Sequence, residues 1–137
     1  MIRGSASADD LSDSYLKRIT QLGVDAVDFG EARTLPGVEQ QGYPDLDELL
    51  KIKKKVRSWG LEINRVSLPD ITEKFMRDEP GSEQELENAA RSVQVFGDAG
   101  IDLACTRFDG SNFNHLITFF PSVHRGGYAG SGKSLWL

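Results

Sequence analysis

The 137-residue sequence has little of what several protein classes require. Its single cysteine, Cys105, excludes an internal disulfide, and no stretch approaches the ~18 consecutive apolar residues of a membrane span. The first residues lack the apolar core of a signal peptide, so we expect a cytoplasmic protein without a membrane partner. The net charge of −5 and the pI near 5.0 argue against a nucleic-acid partner, because proteins that bind nucleic acid through bulk charge are basic.

What the sequence does contain is a repeated junction between a helical pattern and an apolar run. A glycine stands at each junction, in Leu22-Gly23-Val24, Trp59-Gly60-Leu61 and Ala99-Gly100-Ile101. The three glycines are roughly 40 residues apart, a spacing typical of repeated supersecondary units. Glycine ends helices because it adopts the left-handed C′ conformation without steric cost. The pattern therefore predicts an α/β fold whose parallel strands are joined by helices.

The length of the chain limits how much of such a fold it can form. A complete (β/α)8 barrel needs roughly 250 residues, so we predict a partial TIM barrel of about three βα units. We expect a disordered N-terminus over residues 1–11, a partial TIM-barrel domain over 12–110 and an irregular, glycine-rich tail over 111–137. Ser82 with Glu85 also predicts a capping box at the start of the third helix.

The glycine-rich tail contains one motif with a known chemistry. Residues 127–134 match the phosphate-loop pattern G-x-x-x-x-G-K-S. That loop binds phosphate through backbone amides, and it works only between a buried strand and the N-terminus of a helix. Only the residues Leu135, Trp136 and Leu137 follow the motif, too few for that helix. We therefore interpret the match as chance.

Polar side chains follow each predicted strand, where barrels of this kind bind their ligands. Glu31 lies just past the first predicted strand, Asn64 and Arg65 end the second, and Arg107 and Asp109 end the third. Carboxylates beside arginines suit a polyhydroxylated or anionic small molecule, or a divalent metal. Surface ion pairing without any function is the alternative, because loops are polar in any case.

The two histidines, His115 and His124, do not have the i, i+4 spacing of a helical metal pair, and each is typical of a lone loop histidine. His124 stands beside Arg125, however, and together they could contact an anionic substrate. Cys105 lies in an apolar run, which indicates an inert thiol. We assign no catalytic group and no metal ligand; the substrate-binding candidates are Glu31, Asn64, Arg65, Arg107, Asp109, His124 and Arg125.

Several segments resemble the mannonate dehydratases. Residues 81–101 run from an acidic helix start to Gly97-Asp98-Ala99-Gly100-Ile101 and lead into a strand with a cysteine, as in that family. Residues 11–24 and 46–61 are similar to its earlier crossovers, and residues 123–128 to a later loop of related proteins. The resemblance implies a TIM barrel that dehydrates D-mannonate to 2-keto-3-deoxygluconate with a bound divalent metal, Mn²⁺ or Fe²⁺.

The chain departs from the family in two respects. We find no counterpart of the family's opening strand before Ser12, and the family's metal ligands come from a part of the barrel that this chain does not contain. We therefore expect a truncated, inactive fragment of a mannonate dehydratase-like sugar-acid lyase. Its expected partner is a small molecule, either a sugar acid or a sugar phosphate.

Two other functions stay open. The xylose-isomerase-like group of sugar-phosphate isomerases and epimerases shares much of the pattern, and its metal-assisted proton transfer moves a carbonyl rather than expelling water. The second alternative is a non-catalytic fragment that folds only with a partner supplying the missing strands. Its open strand edges would favour association, including homo-oligomers.

Overall fold

The computed structural model of the protein describes residues 1–106, 117–123, 127 and 129–135. The chain divides into two compact units, Met1–Arg107 and Phe108–Leu137. Arg107, Asp109, His124 and Arg125, which the sequence predicts as substrate contacts, lie outside the described residues, as does His115. Within the part described, no helix is both long enough and apolar enough to cross a membrane.

The first unit is built on a four-stranded parallel sheet with the strand order β1-β2-β3-β4. Its strands are β1 (Arg3–Ala6), β2 (Ala26–Phe29), β3 (Glu62–Ser67) and β4 (Ala104–Cys105). The helices are α1 (Asp13–Gln21), α2 (Val38–Gln41), α3 (Leu46–Ser58), α4 (Glu73–Met76) and α5 (Ser82–Asp98). Consecutive strands are neighbours throughout, as in a (β/α)8 barrel, whereas a doubly wound sheet reverses direction at a switch point. The predicted fold class, a part of a TIM barrel, is confirmed.

The opening strand β1 corrects the expectation that residues 1–11 are disordered and that no strand precedes Ser12. Arg3–Ala6 pairs in parallel with Ala26–Phe29 along its whole length. The Tyr15 hydroxyl of α1 donates a hydrogen bond to the Ser5 carbonyl, which fixes the strand against the first helix. The sheet therefore has one strand more than the three that the glycine junctions predict.

The three glycines that predicted the helix ends have the backbone conformation that this role requires. Gly23, Gly60 and Gly100 have φ angles of 79°, 75° and 63°. The predicted capping box at α5 is wrong, because Ser82 is already the first helical residue and Gly81 precedes it without a side-chain cap. The Glu85 carboxylate instead accepts hydrogen bonds from the backbone and side chain of Thr72.

One hydrophobic cluster joins the long helices to the sheet. It contains Leu16 and Ile19 of α1, Leu49 and Val56 of α3, Phe96 of α5, and the strand residues Val27, Phe29 and Val66. Because side chains alternate along a strand, these strand residues share the helix-facing side. The strand residues that alternate with them, among them Ser5, Asp28 and Arg65, lie on the opposite side of the sheet and are largely polar.

Two lysines of helix α3 contact the neighbouring helices. The Lys53 ammonium donates to the carbonyls of Ala99 and Gly100, at 2.7 and 2.8 Å, where α5 ends. A cation at the carboxyl end of a helix satisfies carbonyls that lack an intrahelical partner and suits the helix dipole. Lys55 approaches Asp13 of α1 to 3.3 Å.

The second unit contains an antiparallel hairpin, so the predicted irregular tail is wrong for these residues. Strand β5 (Ile117–Val123) pairs with β6 (Ala129–Leu135), from Ile117 opposite Leu135 to Val123 opposite Ala129. The glycine, lysine and serine at the end of the phosphate-loop pattern lie inside β6. An extended, paired strand does not form the loop and helix start that the motif requires, which agrees with its interpretation as chance.

Gly37, which precedes α2, provides a test of the close packing between the start of α2 and Asp45, the residue before α3. Its φ is 90°, and a Cβ there would lie 2.7 Å from the Asp45 backbone nitrogen and 3.0 Å from Gln41 Nε2. We expect Gly37→Ala to lower the free energy of unfolding by about 2–4 kcal/mol, from left-handed strain and a backbone clash together. Urea unfolding followed by circular dichroism measures the loss.

Gly60→Ala is the matched control for this substitution. Gly60 also has a positive φ, 75°, but among the described residues nothing lies within 4 Å of the added Cβ. Its substitution should cost only the conformational strain, about 1–2 kcal/mol. Equal losses for the two variants would contradict the close approach of Gly37 to Asp45.

Candidate functional site

The carboxyl ends of β2 and β3 border a cavity of about 260 Å³. Its lining comprises Gly30, Glu31, Ala32, Arg33, Val38, Ser67, Pro69 and Asp70. A second cavity of about 290 Å³ lies at the ends of β1 and β2 and is lined by Ser5, Ala6, Ser7, Gly30 and Glu31. In parallel barrels the loops after the strands form the ligand site, so these adjoining cavities are the candidate site.

Glu31 borders both cavities and, of the three predicted candidates that the structure describes, is the one at the strand ends. Its Oε2 atom accepts a hydrogen bond from Arg33 Nε at 2.9 Å and lies 2.9 Å from Arg33 Nη2. The carboxylate is half exposed, and the pair offers acceptor and donor atoms side by side. Such a pair can bind the hydroxyl groups of a sugar-like ligand.

Three hydrogen bonds position the loops around the first cavity. Ser67 Oγ donates to the Gly30 carbonyl at 3.0 Å and joins the ends of β3 and β2. Glu85 of α5 accepts from the Thr72 backbone at 3.0 Å and from its hydroxyl at 2.7 Å. Since Thr72 follows Asp70 closely along the chain, this contact anchors the loop that carries the Asp70 carboxylate.

A polar cluster lies on the sheet face opposite the hydrophobic core, centred on Asp28. Asn64 Nδ2 donates to Asp28 Oδ1 at 2.7 Å. Arg65 Nη2 and Arg3 Nη1 lie 3.5 and 4.0 Å from Asp28 Oδ2. The Asp28 side chain is only 13% exposed, whereas the side chains of Arg3 and Arg65 are 55% and 38% exposed. The inner cluster, defined by these four residues, thus surrounds one carboxylate with two guanidinium groups.

A bulge in β3 brings two consecutive residues onto the same carboxylate. The pairing with β2 shifts between Val27 and Asp28, so that Val27 lies opposite Ile63 and Asp28 opposite Arg65. Asn64 is the extra residue, and a bulge of this kind redirects side chains that strict alternation would place on opposite faces. The local irregularity explains how Asn64 and Arg65 both reach Asp28.

The structure places the three predicted residues that it describes in two adjacent groups. Glu31 lies at the strand ends, while Asn64 and Arg65 belong to the inner cluster, below the strand ends. The residues of the candidate site and of the inner cluster that sequence reasoning missed are Asp28, Arg3, Arg33 and Asp70. Asp28 did carry a signal, because an acidic residue inside a strand is unusual in a parallel sheet covered on both faces.

The described residues do not form a metal site by themselves. In the part of the chain that the structure covers, no three His, Cys, Asp or Glu side chains come together in an arrangement that could hold a metal ion. Cys105 is half-buried in β4. The divalent metal that the family resemblance implies therefore does not fit these residues, and no chemical step is derived through it.

The inner cluster predicts a stability effect for Asp28→Asn. The substitution keeps the shape of the side chain but leaves Arg3 and Arg65 facing each other without a counter-charge. We expect a loss of about 1–3 kcal/mol in unfolding free energy, less than for a fully buried pair because both arginines are partly exposed. Asp102→Asn, at an exposed position, is the control and should change stability little. Similar stability of both variants in urea unfolding would contradict the cluster.

Comparisons with known proteins identify one group of similar sequences and structures. No protein-family model matches the chain. The mannonate dehydratase of Streptococcus equi subsp. zooepidemicus is 27% identical over 95 residues, which cover 61% of this chain and 26% of that protein. The mannonate dehydratase of Streptococcus suis strain 05ZYH33 is 28% identical over the same coverage. This chain therefore spans about a quarter of the length of the curated relatives it matches.

A solved structure extends the similarity to the fold. The crystal structure of mannonate dehydratase from Streptococcus suis serotype 2 superimposes with a TM-score of 0.60 at 24% identity. The match covers 78% of this chain and 29% of that chain. At this identity the likeness shows the shared fold alone. The chain is thus similar in sequence to part of the mannonate dehydratases and shares the fold of part of one of them.

Proposed function

We propose that the chain forms four consecutive strands of the barrel of a sugar-acid lyase, which dehydrates D-mannonate to 2-keto-3-deoxygluconate. The observation that carries the proposal is the position of the polar cavities, at the carboxyl ends of a sequentially ordered parallel sheet. Sequence similarity to mannonate dehydratases supports the choice of reaction. The substrate, a small polyhydroxylated acid, would bind where Glu31 borders both cavities.

In this proposal the described residues bind and orient the substrate. The Glu31–Arg33 pair and Asp70 supply acceptors and donors for hydroxyl groups at the strand ends. Dehydration removes a proton next to the carboxylate and expels a hydroxide or water from the neighbouring carbon, so the sugar chain must be held in one orientation. The candidates Arg107, Asp109, His124 and Arg125 stay predictions for further substrate contacts.

The proposal includes a divalent metal, Mn²⁺ or Fe²⁺, bound by residues other than those described here. The described residues offer no group of three ligands, and the family resemblance implies that the ligands come from another part of the barrel, so we expect the 137-residue chain alone to be inactive. The remainder of an eight-stranded barrel would have to supply the metal ligands and close the sheet.

A sugar-phosphate isomerase or epimerase on the same scaffold is the second candidate. The two guanidinium groups of the inner cluster favour it as much as the lyase, since arginine binds phosphate as readily as carboxylate. The two candidates differ in substrate and in product, and a turnover assay separates them.

A complementation assay tests the proposed reaction. The chain is mixed with the portion of the Streptococcus suis enzyme that lies outside the superposition, in the presence of Mn²⁺. We expect dehydration of D-mannonate by the mixture, followed as formation of 2-keto-3-deoxygluconate, and none by either polypeptide alone. The reason is that barrel chemistry needs the strand ends of both portions.

Two results would contradict the proposal. Turnover of ketose phosphates but not of D-mannonate by the assembled mixture would favour the isomerase. Tight, stoichiometric binding of Mn²⁺ to the 137-residue chain alone, measured by calorimetry, would show that the metal ligands lie within it.

A further inference from the structure

The two arginines of the inner cluster are close to Asp28 without being hydrogen-bonded to it. Arg65 Nη2 and Arg3 Nη1 lie 3.5 and 4.0 Å from the same Asp28 oxygen, beyond the 2.7–3.2 Å typical of a direct N–H···O bond. Arg65 Nε is buried and has no hydrogen-bond partner among the described residues. A guanidinium group carries five donors, so most donors of both side chains have no partner among the described residues.

Other arginines of the same unit behave differently. Arg33 and Arg57 each approach a glutamate oxygen to 2.9 Å, although these pairs are more exposed than Asp28. Within the inner cluster the short contact is the one from Asn64 to Asp28, at 2.7 Å. Asp28 therefore attracts the two guanidinium groups to one place but does not occupy their donors.

The register of the sheet places the inner cluster next to the second cavity. Ser5, Asp28 and Arg65 form one row across three strands, because Ser5 pairs with Asp28 and Asp28 pairs with Arg65. Ser5 also lines the cavity of about 290 Å³, together with Gly30 and Glu31. Neither Arg3 nor Arg65 lines that cavity, but the row from Ser5 through Asp28 to Arg65 connects its lining to the inner cluster.

We propose that Arg3 and Arg65 form a subsite for one oxyanion group, a carboxylate or a phosphate, of a small molecule that binds on this face of the sheet, beside the second cavity. Two guanidinium groups around one carboxylate leave a net positive charge, and charge-assisted hydrogen bonds to an oxyanion satisfy the unused donors. Asp28 and Asn64 position the arginines. The identification of the ligand as a sugar acid rests on the proposed function, whereas the oxyanion subsite itself does not.

Calorimetric titration of the full 137-residue chain at low ionic strength tests the subsite. The probes are D-mannonate, D-mannose 6-phosphate and uncharged D-mannose. We expect binding of at least one of the two anions and none of D-mannose. Arg65→Gln and Arg3→Gln should each weaken anion binding by roughly tenfold or more, the effect of losing one charge-assisted contact.

Arg57→Gln is the matched control, because it removes the same charge from the same unit at the Glu62 pair outside the inner cluster. It should leave anion affinity unchanged. If Arg65→Gln does not fold, as judged by circular dichroism, Arg3→Gln decides the test, since Arg3 is the more exposed arginine, in the edge strand β1.

The outcomes separate the subsite from the proposed reaction. Binding of D-mannose 6-phosphate alone upholds the subsite and counts against the sugar-acid lyase. Binding of D-mannonate alone supports both. Absence of anion binding, equal binding of D-mannose, or unchanged affinity in both arginine variants would overturn the subsite, while the complementation assay would still decide the reaction.

Discussion

The first unit depends on packing all its long helices against one face of a parallel sheet. Val27, Phe29 and Val66 bury that face with the apolar sides of α1, α3 and α5 in one cluster. Hydrophobic burial contributes about 25 cal/mol per Å² of apolar surface, so this single core is the dominant stabilising term. Because the helices occupy one face, the other face is available to charged residues that a doubly covered sheet would exclude.

The chemistry of the candidate site follows from this one-sided arrangement. The inner cluster lies on the free face, and the two cavities lie where its strands end. The bulge opposite Asp28 is the local device that brings Asn64 and Arg65 to the same carboxylate. The fold thus combines a regular, buried side that determines stability with an irregular, polar side that can bind a ligand.

The sequence predicted those features that local steric rules determine. Gly23, Gly60 and Gly100 mark helix ends because a positive φ is costly for other residues, and their spacing revealed the parallel α/β fold. The sequence did not reveal β1, because Arg3–Ala6 has little strand propensity. This segment is a strand only through its pairing with β2. Strand β6 was missed in the same way, because its glycine- and serine-rich composition resembles a loop and it is a strand through its pairing with β5.

The candidate site was predictable only in part for the same reason. Glu31 follows a strand pattern directly, so its place at the strand ends could be predicted from the topology. The partnership of Asp28 with Asn64 and Arg65 depends on the register of β3 and on the bulge, which no local pattern specifies. Arg3 was missed together with the strand that carries it.

The central claim is that the four strands form one sequentially ordered parallel sheet. Solution NMR of the full chain tests it directly through nuclear Overhauser contacts between backbone protons of neighbouring strands. The structure predicts contacts that follow a parallel register. Between β1 and β2 they run from Arg3 with Ala26 to Ala6 with Phe29, and between β3 and β4 they include Ser67 with Cys105. An antiparallel pattern between β1 and β2, or contacts that place β1 beside a strand other than β2, would contradict the account.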